Sequence, residues 1–263
     1  MTLVRIDREV VNRRVHAVVL ALTMAGCAPD PYGPLVCDPQ RAGEAAFGYA
    51  SGGGLGGSIE ELLVIEGDCR FWTLHFDAVR RRNSEARAGR ISPAELEALN
   101  GELLTGPWRS VDGLDVRREP FVTDGGSTDL WRDHIAACSG SCRDAPMIRE
   151  LETAARRWLA VLYARGTPLD GPVAIAGVRA GIDDGGIEWT GTTPLAPAFL
   201  RLDDTGVAYG RLVVDDEGDA ALLRAIRAST YPDGLSAIHD QGVRLDLSIR
   251  DVLPDSTRRP SAR

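Results

Sequence analysis

The chain contains no lysine: all 30 of its basic residues are arginine. Coding bias in a GC-rich genome accounts for that better than chemistry does. Basic excess is missing as well, since 38 acids outnumber the arginines and the formal net charge is -8. Phosphate neutralisation needs such an excess, so nucleic acid is not an expected partner. The apolar run from Val15 to Met24 is only about ten residues long, whereas a membrane-spanning helix needs about 20. Neither G-x-S-x-G nor H-E-x-x-H occurs, so two common hydrolytic signatures are absent. Histidine is scarce: beyond the N-terminal region only His75, His134 and His239 occur, and core or surface histidine is the default reading. No sequence repeat relates the two halves.

The composition that remains is ordinary. A hydrophobic fraction of 44% and a charged fraction of 26% predict a packed core, in one large domain or two small ones.

The N-terminus has a distinct pattern. Arg5, Arg8, Arg13 and Arg14 precede the short apolar run, and small residues Ala25 and Gly26 then lead to Cys27. That order fits an export signal over residues 1–26. Met24-Ala25-Gly26-Cys27 resembles the lipobox of bacterial lipoproteins, with Met where Leu is usual. The resemblance implies lipid such as palmitate on Cys27, cleavage just before it, and membrane anchoring by several acyl chains. Ala28 after the cysteine is similar to the class sorted to the outer membrane of two-membrane bacteria. Pro29, Pro31, Pro34 and Pro39 predict a flexible tether over residues 27–43.

Four cysteines are left, an even number that implies disulfides in an exported chain. The favoured pairing is Cys37–Cys69 with Cys138–Cys142, the latter closing a small loop through Gly140. A metal site from His134, Cys138 and Cys142 is the competing reading. Ser139-Gly140-Ser141 is a poor helix segment, so no metal is expected, and no cofactor.

The fold class is read as α+β. Residues 58–79 predict a hairpin around Glu66-Gly67-Asp68. Residues 92–104 predict a helix with Ser92 as N-cap, Pro93 at its first position and Glu95 closing a capping box. Its buried face would carry Leu96, Leu99, Leu103 and Leu104. "DVRREPFV" and "STDLWRDHIAA" predict a second hairpin around residues 123–126. A second helix is expected from about Asp144 to Gly166, burying Ile148, Leu151, Ala155, Trp158, Leu159 and Leu162. Residues 44–166 are therefore expected to form an antiparallel four-stranded sheet with two helices, in ββαββα order. Residues 167–172 read as a linker. Residues 173–254 read as a second, strand-rich α+β domain, with clean alternation in "VRLDLSI". Residues 255–263 read as a disordered tail.

Gly52, Gly54 and Gly57 satisfy G-x-G-x-x-G, but a dinucleotide site needs a helix directly after the glycines. "SIEELLVI" has strand character instead, so a hairpin connection is expected. Asp215–Asp219 is expected to cap a helix rather than bind calcium, because Ala220 stands where a calcium loop needs Gly.

From "SGGGLGG" through the closing helix, residues 48–165 are similar in layout to emfourin-type metalloprotease inhibitors. That resemblance implies a protease partner, with contacts at Ser51, Gly52 and Gly53. The leading expectation is a non-catalytic envelope lipoprotein that binds or interacts, held to the membrane through Cys27. A protease inhibitor and an uncharacterised envelope enzyme remain as alternatives, since sites can assemble from dispersed residues.

Overall fold

The computed structural model describes residues 32–52, 59–77, 82–83, 85–105, 108–111, 113–114, 127–132, 135–139, 145–179, 186–199, 201–202, 208–229 and 235–257. The fold is α+β, as expected. Its first half contains strands β1 (Ala45–Gly52), β2 (Ile59–Glu66), β3 (Arg70–Leu74), β4 (Phe76–Asp77), β5 (Arg82–Asn83) and β6 (Arg87–Arg90). Helices α1 (Pro93–Leu99) and α2 (Trp108–Val111) follow, then β7 (Ser127–Trp131), β8 (Ile135–Ser139), α3 (Pro146–Arg165) and β9 (Thr167–Pro168).

The expected four-stranded sheet is a seven-stranded one, ordered β8-β7-β1-β2-β3-β6-β9, with every neighbouring pair antiparallel. Two features account for the difference. Sequence reading passed over β1, whose Ala, Gly and Ser content is poor in strand formers. It also did not place β7 between β1 and β8. Residues 127–131 of β7 pair with β1 on one side and with β8 on the other. Both edges of β7 are thus occupied; "DVRREPFV", residues 115–122, the other expected arm of the second hairpin, lies outside the described residues.

The two faces of this sheet bury different things. Ala50, Leu62, Val64 and Trp131 form an apolar cluster on one face, joined by Trp72, Leu74 and Leu253. Opposite parity sends Phe47, Tyr49 and Phe71 to the other face, under the helices. There Phe47 meets Trp108 edge-on at 5.9 Å, and the Arg165 guanidinium lies 4.9 Å over the Phe71 ring. All six residues expected on the buried side of α3 are buried.

Helix α1 begins as its sequence requires. Ser92 and Glu95 form the reciprocal capping box, and α1 passes into a π turn over Asn100–Leu104. The wider turn lets the adjacent Leu103 and Leu104 both be buried. Asn100 also grips the backbone of Leu35, accepting from its N–H at 2.7 Å and donating to its carbonyl at 3.0 Å.

That grip corrects the expected tether. Residues 34–43 lie on the domain: Leu35 is buried, and the Asp38 N–H donates to the Gly67 carbonyl. The Cys37–Cys69 disulfide fastens the segment to the β2–β3 turn. Closing a loop of this separation stabilises the fold by about 4 kcal/mol in the chain-entropy account.

The second half holds β10 (Val173–Arg179), β11 (Ile187–Glu188), β12 (Arg201–Leu202), β13 (Ala208–Val214), α4 (Glu217–Ser229), β14 (Ser236–Asp240) and β15 (Val243–Asp251). They make a six-stranded sheet ordered β11-β14-β15-β10-β13-β12, in which only the β11–β14 pair is parallel. Alternate residues of β15, Leu245, Leu247 and Ile249, pack with Leu223 and Ile226 of α4.

Pro34–Arg263 is one compact unit holding both sheets. The expected linker contributes to it: Thr167 and Pro168 pair with β6, and the Leu169 N–H donates to the Ala86 carbonyl. The buried Asp251 carboxylate accepts from the Ala86 N–H at 2.9 Å and pairs with Arg224 and Arg227. The start of the expected tail is a 3₁₀ turn, Asp255–Thr257, with Thr257 buried against the first sheet. Residues 258–263 lie outside the described residues.

At Gly48 a Cβ would stand 1.8 Å from the Trp131 ring. Gly48→Ala should therefore displace the indole and cost about 1–3 kcal/mol. Gly101 has open space around it, and Gly101→Ala should stabilise by about 0.4–1 kcal/mol. Urea unfolding of both variants beside the parent checks the opposite signs.

Candidate functional site

The expected contact residues Ser51 and Gly52 end β1, and Gly53 lies outside the described residues. Gly52 is paired on both sides, with Ile59 of β2 and Ser127 of β7. The element after the glycine-rich segment is strand β2, not a helix. The glycines therefore connect a hairpin, and the amide dipoles of a helix N-terminus are not there to meet a pyrophosphate.

A polar cluster lies at the end of β1, on the sheet face below α3. Tyr49 Oη donates to Glu61 Oε2 at 2.7 Å. Arg156 of α3 donates through Nε to Tyr49 Oη at 2.8 Å and to Glu61 Oε2 at 3.0 Å. Its Nη2 reaches Ser51 Oγ at 3.4 Å and Glu152 Oε1 at 3.0 Å. Thr128 Oγ1 of β7 donates to the same Glu152 oxygen at 3.2 Å. Arg156 thereby joins β1, β2 and its own helix, while Glu152 extends the cluster to β7.

The register explains the convergence. Ser51 stands opposite Glu61 on β2 and opposite Thr128 on β7, so one row across three strands is polar. Glu152 and Arg156 are four residues apart on α3 and project from the same side of the helix. The row and the helical pair meet where the apolar core ends.

Burial pushes the Tyr49 phenol far above its ordinary pKa, and the negative charge of Glu61 pushes it in the same direction. The phenol therefore stays protonated and remains a donor to Glu61. Burial acts against the charged form of Arg156, but Tyr49, Glu61 and Glu152 outweigh it and hold the guanidinium more firmly charged than usual. His75 sits at the far side of Glu61, with Nδ1 3.7 Å from Glu61 Oε1 and its ring beside Tyr163. The Arg87 guanidinium lies 4.6 Å over that same tyrosine.

The chemistry available is that of a clamp. Arg156 is shared between two carboxylates, and Tyr49 is tied at its hydroxyl. Ser51 Oγ faces a guanidinium, which cannot take its proton, so Arg156 does not act as a base toward this serine. The cluster fixes the end of β1 in place.

Sequence reading found Ser51 and Gly52 but missed Tyr49, Glu61, Thr128, Glu152 and Arg156. One local signal was present: an acid and an arginine at i and i+4 beside the apolar stripe of α3.

The other expected residues are spread over the molecule. Cys37 and Cys69 are bonded to each other at the β2–β3 turn. Cys138 lies in β8 opposite Thr128, while its side chain, Cys142 and Cys27 lie outside the described residues. His134 lies there too, so the alternative metal reading falls on residues that are not described. Among the described residues no cluster of three or more His, Cys, Asp or Glu could hold a metal ion.

The acidic stretch behaves as a cap. Asp216 Oδ1 accepts from the Asp219 N–H at 2.9 Å. Asp219 is buried and accepts from the N–H groups of Thr192 and Thr193. Burial would raise its pKa, but those donors outweigh it and hold the carboxyl below its ordinary range.

Arg156→Ala should leave Glu61 and Glu152 without their shared cation. The expected loss is about 1–3 kcal/mol of stability, read from chemical unfolding. Hydrogen exchange should rise locally at the end of β1 rather than across the second sheet.

The chain matches no protein-family model, no curated protein and no solved structure.

Proposed function

We propose that the chain is an exported, lipid-anchored envelope protein whose globular part is a non-catalytic binding module. The observation that carries this reading is the Cys37–Cys69 disulfide, ten residues after Cys27. Cystines persist in oxidising compartments and are rare where glutathione keeps thiols reduced. An export signal, a lipidation cysteine and a cystine form one consistent address. Residues 34–43 lie on the domain, so the tether of this reading runs from Cys27 to about Gly33. The binding element of this reading is the end of β1 at Ser51 and Gly52, which the Arg156 clamp holds in place.

Metabolic labelling with palmitate should mark the parent chain and leave Cys27→Ala unlabelled and released from the membrane fraction. Label retained on Cys27→Ala would overturn the lipid reading. A thiol count on the denatured, unreduced parent should find no free thiol, and two or more would reject the paired cysteine scheme.

A second reading, inhibition of metalloproteases, is favoured by the same clamp, because a rigid support at Ser51 and Gly52 reduces the ordering cost of docking. Titration of secreted metalloproteases with the protein should then abolish activity near equimolar ratio. Undiminished activity at stoichiometric excess rejects it.

A further inference from the structure

Strand β13 has one edge covered and the other largely open. Along one side it pairs with β10 in unbroken register from Tyr209 to Val214. On the other side β12 pairs only with Ala208 and Tyr209. Among the described residues, Gly210–Val214 have no strand beyond them on that edge. The window is bounded on one side by β12, and on the other by Asp216, where the chain is capped and turns into α4.

Proteins blunt such edges with proline, a bulge, very short strands or inward charges. The edge strands β9, β11 and β12 are each two residues long. The open part of β13 has neither a proline nor a bulge. Its exposed side chains are Arg211 and Val213, with Asp215 at the next position of the same parity. Among the described residues, no hydrogen bond or ion pair engages the side chain of Arg211 or Asp215.

We infer that this edge is a homodimer interface, formed when β13 pairs antiparallel with β13 of a second copy about a two-fold axis at Val213. The motif Arg211-Leu212-Val213-Val214-Asp215 is self-complementary in that register. Arg211 stands opposite Asp215 of the second copy, and Asp215 opposite its Arg211. Val213 meets Val213, and Leu212 meets Val214. Cross-strand partners on one face interact directly, and opposite charges there stabilise whereas like charges oppose pairing. The same surface patch serves both copies, as an isologous contact requires. The two six-stranded sheets would join into one continuous sheet. The other long edge, β8, reads Ile-Ala-Ala-Cys-Ser and carries no such charge pattern.

The test uses the full chain carrying Cys27→Ala, so that lipid cannot drive association. Sedimentation over a concentration series should show a monomer–dimer equilibrium. Arg211→Asp and Asp215→Arg should each weaken it by roughly tenfold, because like charges then face each other twice. The double variant R211D/D215R should restore it, since the pairs re-form with their signs exchanged. Circular dichroism melts of all three report that each remains folded. A parent that stays monomeric at every concentration overturns the proposal. So does a dimer indifferent to both single reversals, or one that the double variant fails to recover.

Discussion

Strand β1 is the constraint on which the first sheet depends. It is the third of seven strands, and it must serve two unlike surfaces at successive residues. At Gly48 the strand has no side chain, and the Trp131 indole lies in the space a Cβ would fill. At Tyr49 the side chain crosses to the other face and bonds Glu61 and Arg156. One position closes the apolar cluster, and the next ties the sheet to α3. Packing at interior density gives neither position freedom to change size.

Elsewhere the molecule uses buried carboxylates to fix irregular backbone. Asp219 holds the N–H groups of Thr192 and Thr193, and Asp240 those of Leu195 and Ala196, in the segment that follows the short strand β11. Glu66 takes the Gly43 N–H and the Trp72 indole N–H. Asp251 takes the Ala86 N–H from the first half while paired with two arginines of α4. In each case an acceptor leaves water and finds donors that the loop could not satisfy alone. Asp251 thereby joins two sheets that sequence reading placed in separate domains.

What could be read from sequence was local. The capping box at Ser92 and Glu95, the apolar face of α3 and the alternation in β15 are each set by residues within two or three turns or along a single strand. The Cys37–Cys69 pairing was favoured among the three connectivities that four cysteines allow, and the structure places that bond. The Glu66-Gly67-Asp68 turn was legible from its composition. β1 was not, since Ala, Gly and Ser signal a strand only when neighbours demand small residues. The polar cluster was also hidden, because its members lie on β1, β2, β7 and α3 and share no spacing.

The sequence by itself determined where the capped helix α1 begins and which face of α3 is apolar, because short-range sterics and periodicity decide those. The tertiary structure decided that β1 lies between β7 and β2, that Arg156 meets Tyr49, and that residues 34–43 belong to the domain. Those outcomes depend on which surfaces meet, and side chains far apart in the chain specify a meeting only once both are in place.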